Sequence, residues 1–567
     1  MLDCRVKLSN TGDGSSFDDA HLRNLISRSY LAMRKNLVMH LCNSARTNSE
    51  SSKNGAPSKS LTRALVEQAI GTTLRTICGF FLCILSMSGS AAAETWRVHS
   101  TADAIQKGTL RHAVLNAVNG DTIVLQVGLG KKHPILLSGS EILLDKNLTI
   151  TSIGPQAATI SAGSRSRVFR ITDNAVVRLE NIIITEGKSP EGSGQGGGIF
   201  NQGKLTLVGV SLLHNQSLGV NFEHGGGAVY NAPGSELTIT KCTVDGNSGE
   251  HGGAVRSEYA KLNISDCTFS DNTGHQGGAF YSYVTSLVVE RSTFTSNRSA
   301  DSGGAAAIFS GSCNINNSSI TGNQSGFSGG GMIIVNIDAT ISQTKICQNK
   351  AQVDGGGVFN VQSNTSFYDC TLDGNTCGQN GGGFMHQGRE WLIGFYASQI
   401  TNNIGITGGG GGVFLAGGQL EMNGCLVQNN ENQTGGGVKL NTTSALTLID
   451  DTEVIGNKSP GEGGGISFSY AEGGLVKNCL VKSNTAQYGA GVCASFSTAD
   501  IENSVISQNA ASNFGGGVAL LNSSVVTCLE SEIKVNTAPT GADVFVQEES
   551  TFTSTSSDIG VIFDGNP

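Results

Sequence analysis

Proline, tryptophan and charge are scarce in this 567-residue sequence, which has 8 Pro, 2 Trp and only 14% charged side chains. Ordinary proteins hold roughly 5% Pro, and Pro interrupts strand pairing because it lacks an amide hydrogen. Its depletion therefore favours extended pairing of strands. The low charge excludes the charge-rich class of disordered chains. Glycine is abundant, with 78 residues, but it follows no three-residue period, which excludes collagen.

Several functional motifs are also missing. The sequence contains no Cys-x-x-Cys pair, and Gly130-Lys131 lacks both the upstream Gly and the following Ser or Thr of a phosphate-binding loop. The first 93 residues hold 11 of the 36 Lys and Arg and 6 of the 45 Asp and Glu, so residues 94–567 have a net charge of −14. An acidic surface repels phosphate backbones, which argues against nucleic acid as a partner.

A leader occupies residues 1–93, and its core at residues 75–93 has the pattern of a signal peptide. Arg75 precedes a short apolar run at Ile77–Leu85, and Ala91 and Ala93 form an Ala-x-Ala site. This pattern predicts cleavage after Ala93. The run is far shorter than the ~20 residues of a spanning helix, and no later segment could cross a bilayer as a helix. We therefore expect a protein that is secreted or held at the cell surface or outer membrane.

A repeat of 25–28 residues follows the leader, after a longer first step. Each repeat has an Asn, an apolar side chain three residues before it, and usually a small side chain five residues before it. A Gly cluster and an apolar strand follow most of these Asn residues. Fixed self-similarity of this kind is typical of a solenoid. The Asn residues are Asn215, Asn247, Asn272, Asn297, Asn323, Asn349, Asn375, Asn403, Asn430, Asn457, Asn484, Asn509 and Asn536.

Three short strands per repeat predict an all-β fold, a single-stranded right-handed parallel β-helix with a short N-terminal capping helix. Stacked coils share one core and bring equivalent side chains into ladders. We expect the Asn ladder to lie at a turn, with Asn itself in the left-handed conformation. The predicted regions are an N-terminal cap and first strand at 94–130, with a helix at Thr109–Val118, the β-helix at 131–550, and a Ser/Thr-rich tail at 551–567.

Two motif pairs carry a family resemblance. Gly252-Gly-Ala-Val255 precedes Phe269-Ser-Asp-Asn272, and Gly277-Gly-Ala-Phe280 precedes Phe294-Thr-Ser-Asn297. They resemble the repeats of the polymorphic outer-membrane proteins, and the segment from Gly108 to Ala113 is similar to the opening module of exported bacterial β-helix proteins. The resemblance implies a pectate-lyase-like fold and an exported adhesin. The membrane barrel that ends such proteins has no counterpart after Val546.

Three histidines and two glutamates precede the Gly clusters of three consecutive coils. Stacking could place them within ~5–10 Å of one another, close enough to share a metal ion or a pH-sensitive contact. A solvated corner is the simpler interpretation, because their offsets from the Gly pairs differ. These weak metal candidates are His224, His251, His275, Glu223 and Glu250.

Calcium is a further candidate ligand, although no cofactor is required by the sequence. Asp245 and Asp271 hold nearly matched turn positions on successive coils, and Asp373 recurs four coils later, so that they could bind Ca²⁺ weakly. The paired carboxylates of a polysaccharide lyase or glycoside hydrolase are not evident. Asp450 and Asp451 adjoin one another, but neighbouring strand residues point to opposite faces.

These observations predict a non-enzymatic β-helix for adhesion, recognition or envelope structure, with cell-surface glycans or proteins as partners. No catalytic residue is assigned. One alternative is a carbohydrate-active lyase or hydrolase whose site lies in the irregular insertions. Another is the passenger fragment of an autotransporter.

Overall fold

A computed structural model describes residues 93–126, 133–154, 156–219, 223–442 and 447–565. These residues belong to one compact unit, Ala93–Pro567. The predicted signal peptide lies outside the described residues, apart from Ala93 at its cleavage site.

Each coil contains short strands that stack in register on the coils before and after it, forming four ladders. In chain order, ladder A follows the Gly cluster, ladder B follows a corner, ladder C precedes the repeated Asn, and ladder D follows the Asn. Ladders A and B form one 33-stranded sheet, ladder C has 17 strands, and ladder D has a seven-stranded and a two-stranded part. All the pairings are parallel, as between Val244, Phe269 and Phe294. The described residues thus form about 17 coils and one short helix, which confirms the predicted fold class.

Ladder A comprises Ile142–Leu144, Phe169–Ile171, Ile199–Asn201, Val229–Asn231, Val255–Glu258, Phe280–Glu290, Ala306–Asn316, Met332–Val335, Val358–Val361, Phe384–Gln387, Val413–Ala416, Val438–Asn441, Ile466–Ser469, Val492–Ser495, Val518–Leu521, Val544–Val546 and Ile562–Asp564. The strands Phe280–Glu290 and Ala306–Asn316 continue through ladder B. The other strands of ladder B are Thr95–Val98, Thr122–Leu125, Leu148–Ser152, Val176–Glu180, Lys204–Val208, Glu236–Thr240, Lys261–Ser265, Asp338–Ser342, Thr365–Tyr368, Leu392–Tyr396, Gln419–Asn423, Thr447–Asp450, Gly474–Lys477, Thr498–Glu502, Val525–Leu529 and Thr551–Thr555.

Ladder C comprises Ile135–Leu136, Ala158–Ser161, Ile182–Thr185, Ser211–Leu213, Thr243–Asp245, Thr268–Ser270, Thr293–Thr295, Ser319–Thr321, Lys345–Cys347, Thr371–Asp373, Gln399–Thr401, Leu426–Gln428, Glu453–Ile455, Leu480–Lys482, Val505–Ser507, Glu532–Lys534 and Asp558–Ile559. Ladder D comprises Ser248–His251, Thr273–Gln276, Arg298–Ser299, Gln324–Ser325, Lys350–Ala351, Thr376–Cys377, Ile404–Gly405, Thr485–Tyr488 and Ala510–Phe514.

The N-terminal helix spans Leu110–Asn116, shorter than the predicted Thr109–Val118. The side chain of Thr109 caps it by accepting a hydrogen bond from the amide of His112. It ends because Ala117 has an extended backbone, which leaves Val118 half exposed rather than on the buried face. Leu110, Ala113 and Val114 are buried against the first coils, so the helix covers apolar side chains that an open solenoid end would expose.

The thirteen repeated Asn side chains form one buried hydrogen-bonded ladder. In the middle of it, Asn375 Oδ1 accepts from both the amide and the Nδ2 group of Asn349, each at 3.0 Å. Asn375 Nδ2 in turn donates to Asn403 Oδ1 at 2.9 Å and to the carbonyl of Ile346 at 2.8 Å. Every polar atom of the amide is therefore engaged inside the coil stack, where an unpaired group would be costly.

The left-handed corner lies one residue before each ladder Asn, not at the Asn as expected. Asp271 has φ 51° and Gln348 has φ 54°, whereas Gly occupies the same position in four coils, for example Gly246. The corner residue turns the chain outward, so that the following Asn can point inward and hydrogen-bond to two neighbouring coils. At the last coil Asp543 ends the ladder, accepting from the amide and the Nδ2 group of Asn536.

The coil continues past residue 550, into the segment that the sequence suggested as a Ser/Thr-rich tail. Thr551–Thr555 pairs in register with Val525–Leu529, and Ile562–Asp564 pairs with Val544–Val546. Thr and Ser suit an exposed strand because their β-carbons pack on a pleated surface and their hydroxyls remain hydrated. Most side chains of these last strands are exposed.

The cysteines of the described residues are free thiols. At the small ladder position, Cys242 and Cys267 lie on adjacent coils, and Cys267 Sγ accepts from the amide of Cys242 at 3.4 Å. Ser292 Oγ accepts from the amide of Cys267 in the same way. Cys, Ser and Thr therefore interchange here because each supplies a small acceptor to the preceding coil. Burial raises the pKa of Cys370 to about 11, which suppresses the reactive thiolate.

Within the described part of the chain, no helix is long and apolar enough to cross a membrane. The one helix in this part has seven residues.

The Asn ladder predicts a large loss of stability on replacement of a central member. Asn375→Ala removes the Oδ1 acceptor of two Asn349 donors, its backbone amide and one Nδ2 hydrogen, and an unpaired buried donor costs about 1–3 kcal/mol. We expect its denaturation midpoint in urea, followed by far-ultraviolet circular dichroism, to fall well below that of the wild type. Asn314→Ala, at an exposed strand position, is the matched control, and equal midpoints for the two variants would contradict the prediction.

Candidate functional site

The three predicted histidines do not converge on one point. His251 aligns with Gln276 on the next coil and with Gly225 on the preceding one, so His224 and His275 each fall one strand position away. The three histidines therefore do not occupy equivalent positions on their coils. The His251 and His275 rings lie 6.4 Å apart, and no group of three His, Cys, Asp or Glu side chains in the described ranges could hold a metal ion.

The environments of the three histidines also differ. His224 is buried, and its ring lies so close to Gly194 and Gly219 that a methyl group on either glycine would overlap it. His251 is buried against Tyr281, with ring centroids 4.9 Å apart. Burial, followed by the nearby positive charge of Arg256, lowers the pKa of His251 to about 4. His275 is exposed.

The two predicted glutamates stay near the surface, Glu223 exposed and Glu250 partly exposed. The calcium candidates are separated in a similar way. Asp245 aligns with Ser270, not with Asp271, because Asp271 occupies the left-handed corner one residue later. Asp373 accepts hydrogen bonds from Thr401 on the next coil. These carboxylates do not form a shared cluster.

A buried polar cluster lies beside the histidines, on the outward face of ladder A. Arg256 is fully buried between the rings of Tyr230 and Tyr281, 5.7 and 5.2 Å from their centroids. Its guanidinium forms an ion pair with Glu258 at 2.5 Å and donates to the carbonyl of His224 at 3.0 Å. The Tyr230 hydroxyl donates to the Glu258 carboxylate, and burial raises the pKa of Tyr230. These groups bind one another, which indicates a structural role.

An apolar stripe extends from this cluster along the outward face of ladder A, over six successive coils. Its first row is buried, and this row lies outside the main core. The second row, two residues later along five of the six strands, is only partly buried and faces solvent. On the fifth strand the exposed Gln387 holds this position. We call these side chains the outer stripe: Tyr281, Ala307, Ile333, Phe359, Met385 and Phe414 in the first row, with Tyr283, Phe309, Val335, Val361 and Ala416 in the second.

The corner glycines explain how the first row is buried on an outward face. A β-carbon at Gly381 would lie 2.7 Å from that of Met385, and Gly410 has the same relation to Phe414. Both glycines have positive φ, near 65°. The corner therefore folds closely over the first row, while the second row remains accessible. The sequence shows that a Gly cluster follows most of the repeated Asn residues, but it did not reveal the stripe that these corners cover.

A depression of about 700 Å³ lies at the far end of the outer stripe. Val361 and Ala416 of the stripe line it together with the loop Gly388–Trp391. The sequence interpretation did not single out this loop. Two signals point to it, namely the 28-residue step from Asn375 to Asn403 and the adjacent Gly417 and Gly418.

A buried histidine lies beneath this loop. His386 points into the coil interior and is fully buried. Its Nε2–H donates to the carbonyl of Gly388 at 3.2 Å, and its Nδ1 accepts from Asn360 Nδ2 at 3.2 Å. Burial lowers the pKa of His386 to about 4, so that the ring is neutral near pH 7. The neutral imidazole of His386 therefore links the coil interior, at Asn360, to the loop Gly388–Trp391.

The family comparison agrees with this architecture. A family model for the right handed beta helix region matches residues 132–324. The described chain is a right-handed β-helix. No curated protein matches the sequence. Among solved structures, the A-module of mannuronan C-5 epimerase AlgE6 from Azotobacter vinelandii is similar at 9% identity, over 79% of this chain and 94% of that chain, with a TM-score of 0.17. So low a score supports no statement about activity.

His386 predicts that the β-helix loses stability in mild acid. Its pKa is about 4 when folded, against an ordinary 6.5. Below about pH 6.5 the unfolded chain takes up a proton that the folded chain does not, so the free energy of unfolding falls as the pH drops to about 4. The loss is roughly 3 kcal/mol.

The measurement compares urea midpoints at pH 7.5 and pH 4.5 for the wild type and His386→Leu. Leucine suits the ladder position, because Leu415 occupies it on the next coil. We expect the variant to lose less stability than the wild type over this interval. His251 is retained in both proteins and supplies a common residual pH dependence. An equal loss in both proteins would show that His386 does not titrate as described.

Proposed function

We propose that this protein is an exported β-helix that recognises extended glycans at a cell surface through its outer stripe. The observation that carries the proposal is the continuity of the stripe over six coils, about 24 Å at the usual strand spacing. Elongated contact surfaces of this kind are typical of solenoids. A partly buried row that includes Tyr283 and Phe309 supplies apolar and aromatic contact area along it.

The chemistry of the stripe's edge supports a glycan partner. The residues directly before the corner glycines form a polar border along the first row, for example Gln276, Asp354 and Asn380. Sugar units combine apolar ring faces with hydroxyl edges, and binding sites commonly combine apolar surface with a few polar groups. The net charge of −14 in residues 94–567 disfavours a strongly acidic polymer.

Export is supported by the sequence and agrees with the chemistry of the thiols. The compact unit begins at Ala93, the predicted cleavage site, and the repeats resemble those of the polymorphic outer-membrane proteins, which act as surface adhesins. Burial raises the pKa of Cys313 and Cys377 to about 12. Buried, protonated thiols react slowly. Such cysteines can therefore remain free thiols in an oxidising compartment.

The polar cluster beside the histidines favours a structural role over a catalytic one. A polysaccharide lyase or hydrolase needs an acid or base that reaches the substrate, whereas Arg256, Glu258 and Tyr230 are engaged with one another and Arg256 is fully buried. A carbohydrate-active enzyme is the alternative that the first experiment separates from recognition.

The first test is retention of the full chain on immobilised neutral and acidic polysaccharides, with and without Ca²⁺, followed by mass spectrometry of released sugars. We expect retention on at least one neutral polysaccharide and no release of oligosaccharides. The double variant Phe309→Ser, Val335→Ser removes apolar contact from the exposed row, and we expect an apparent affinity about tenfold lower, equivalent to about 1.4 kcal/mol.

Val525→Ser is the matched control, since Val525 is 42% exposed on ladder B, away from the stripe. Released oligosaccharides would establish an enzyme instead. Absence of retention on every polysaccharide, or unchanged affinity in the stripe variant, would also contradict the proposal.

Export has a separate test, because the leader predicts a defined new terminus. When residues 1–567 are expressed in a Gram-negative host, we expect the protein outside the cytoplasm to begin at Glu94, as determined by N-terminal sequencing. Ala93→Asp places a charge where the signal peptidase requires a small residue, and uncleaved chain should then accumulate. A wild-type protein that stays in the cytoplasm with residues 1–93 intact would refute export by this leader.

A further inference from the structure

We propose that the depression beside Trp391 is a subsite for one neutral pyranose unit of a glycan chain. The proposal rests on the glycan recognition proposed above and assigns its most specific contact. Trp391 is half-buried at the end of the outer stripe, beside Val361 and Ala416. A ligand lying along the stripe would therefore reach it without turning.

Two glycines on the next coil allow the loop Gly388–Trp391 to sit close to the sheet. Gly417 and Gly418 have φ of 85° and 79°, in the left-handed region that other residues adopt at a cost. A β-carbon at Gly417 would lie 2.6 Å from the carbonyl of Gly388, and one at Gly418 would lie 2.7 Å from the carbonyl of Trp391. Both ends of the loop thus require a glycine opposite them.

Hydrogen bonds hold the loop at both ends. The carbonyl of Trp391 accepts from the amide of Gln419 at 2.8 Å. The next residue, Leu392, donates its amide to Asn364 Oδ1 at 2.9 Å. At the other end, His386 donates to the carbonyl of Gly388. The loop backbone that carries the indole is therefore held before a ligand arrives, which reduces the entropy lost on binding.

The lining matches the two kinds of surface on a neutral sugar. The indole of Trp391 offers an apolar face to the C–H side of a pyranose ring, and its amphipathic character suits a site that is partly wet. Gln362, Gln387 and Thr442 offer amide and hydroxyl groups to the sugar hydroxyls. Arg389 and Glu390 contribute opposite charges, so the lining has no net charge to attract an acidic sugar.

The test uses the fluorescence of Trp391, since the only other tryptophan is Trp96. Trp96 donates to Asp121 at the N-terminal cap, so Trp96→Phe in the full chain leaves Trp391 as the sole reporter. This protein is titrated with hexasaccharides of glucose, mannose, xylose and galactose, and with a hexamer of galacturonic acid. We expect a saturable change in emission with at least one neutral hexamer and weaker binding of the acidic hexamer.

Affinity is then measured by calorimetry on Trp391→Ala, with Trp391→Phe and Trp96→Phe as comparisons. We expect affinity to fall at least tenfold in Trp391→Ala, to be partly retained in Trp391→Phe, and to be unchanged in Trp96→Phe. If thermal denaturation shows Trp391→Ala to be unfolded, Gln387→Ala, at an exposed strand end, replaces it, with a smaller loss expected.

The failures of the two proposals are distinguishable. A wild-type chain that binds neutral hexamers, with Trp391→Ala binding equally well, would overturn the subsite and leave glycan recognition by the stripe intact. Stronger binding of the galacturonic acid hexamer would overturn the neutral specificity. A chain that binds none of the hexamers or polysaccharides would overturn the proposed function and this subsite together.

Discussion

In-register stacking of parallel coils is the constraint on which the rest of the molecule depends. A slip of one residue would turn every inward side chain outward, so the register needs a feature that tolerates no shift. The Asn ladder supplies it, because each amide bonds to the coils on both sides, from Asn215 to Asn536. Asp543 accepts the final pair of hydrogen bonds, so that the ladder ends without an unpaired amide.

Stacking also separates the parts of the sequence that hold the fold together from the parts available for function. The inward positions repeat closely because each must match its neighbour one coil away. The outward positions of ladder A do not have to match their neighbours in this way. Across the coils they change from Arg256 through the apolar outer stripe to Lys439. Binding surfaces on rigid scaffolds usually lie where such variation is allowed. The stripe and the Trp391 depression both lie there.

The period of the Asn residues was sufficient to predict the coil, because a ladder side chain must recur once per turn. It could not reveal which residue takes the corner, since both Asn and the residue before it tolerate left-handed conformations. The three histidines illustrate a second limit. Their spacing suggested a cluster, but one-residue differences in offset keep the three histidines from occupying equivalent positions on the three coils. The sequence did not reveal the outer stripe because Tyr281 and Phe359 lie on strands whose alternate residues fill the core. Only the corner glycines, which fold over the stripe, distinguish the stripe residues from the core residues.

The most direct test of the account is hydrogen exchange of the full chain, by mass spectrometry, with and without a neutral polysaccharide that retains it. If the polysaccharide binds to the outward face of ladder A, it should slow amide exchange in peptides covering 332–335, 358–362, 384–391 and 413–418. Peptides of ladder C, such as 398–404, should exchange equally in both states. Protection confined to ladder C or to the N-terminal cap, with none at 384–391, would contradict a recognition surface on ladder A.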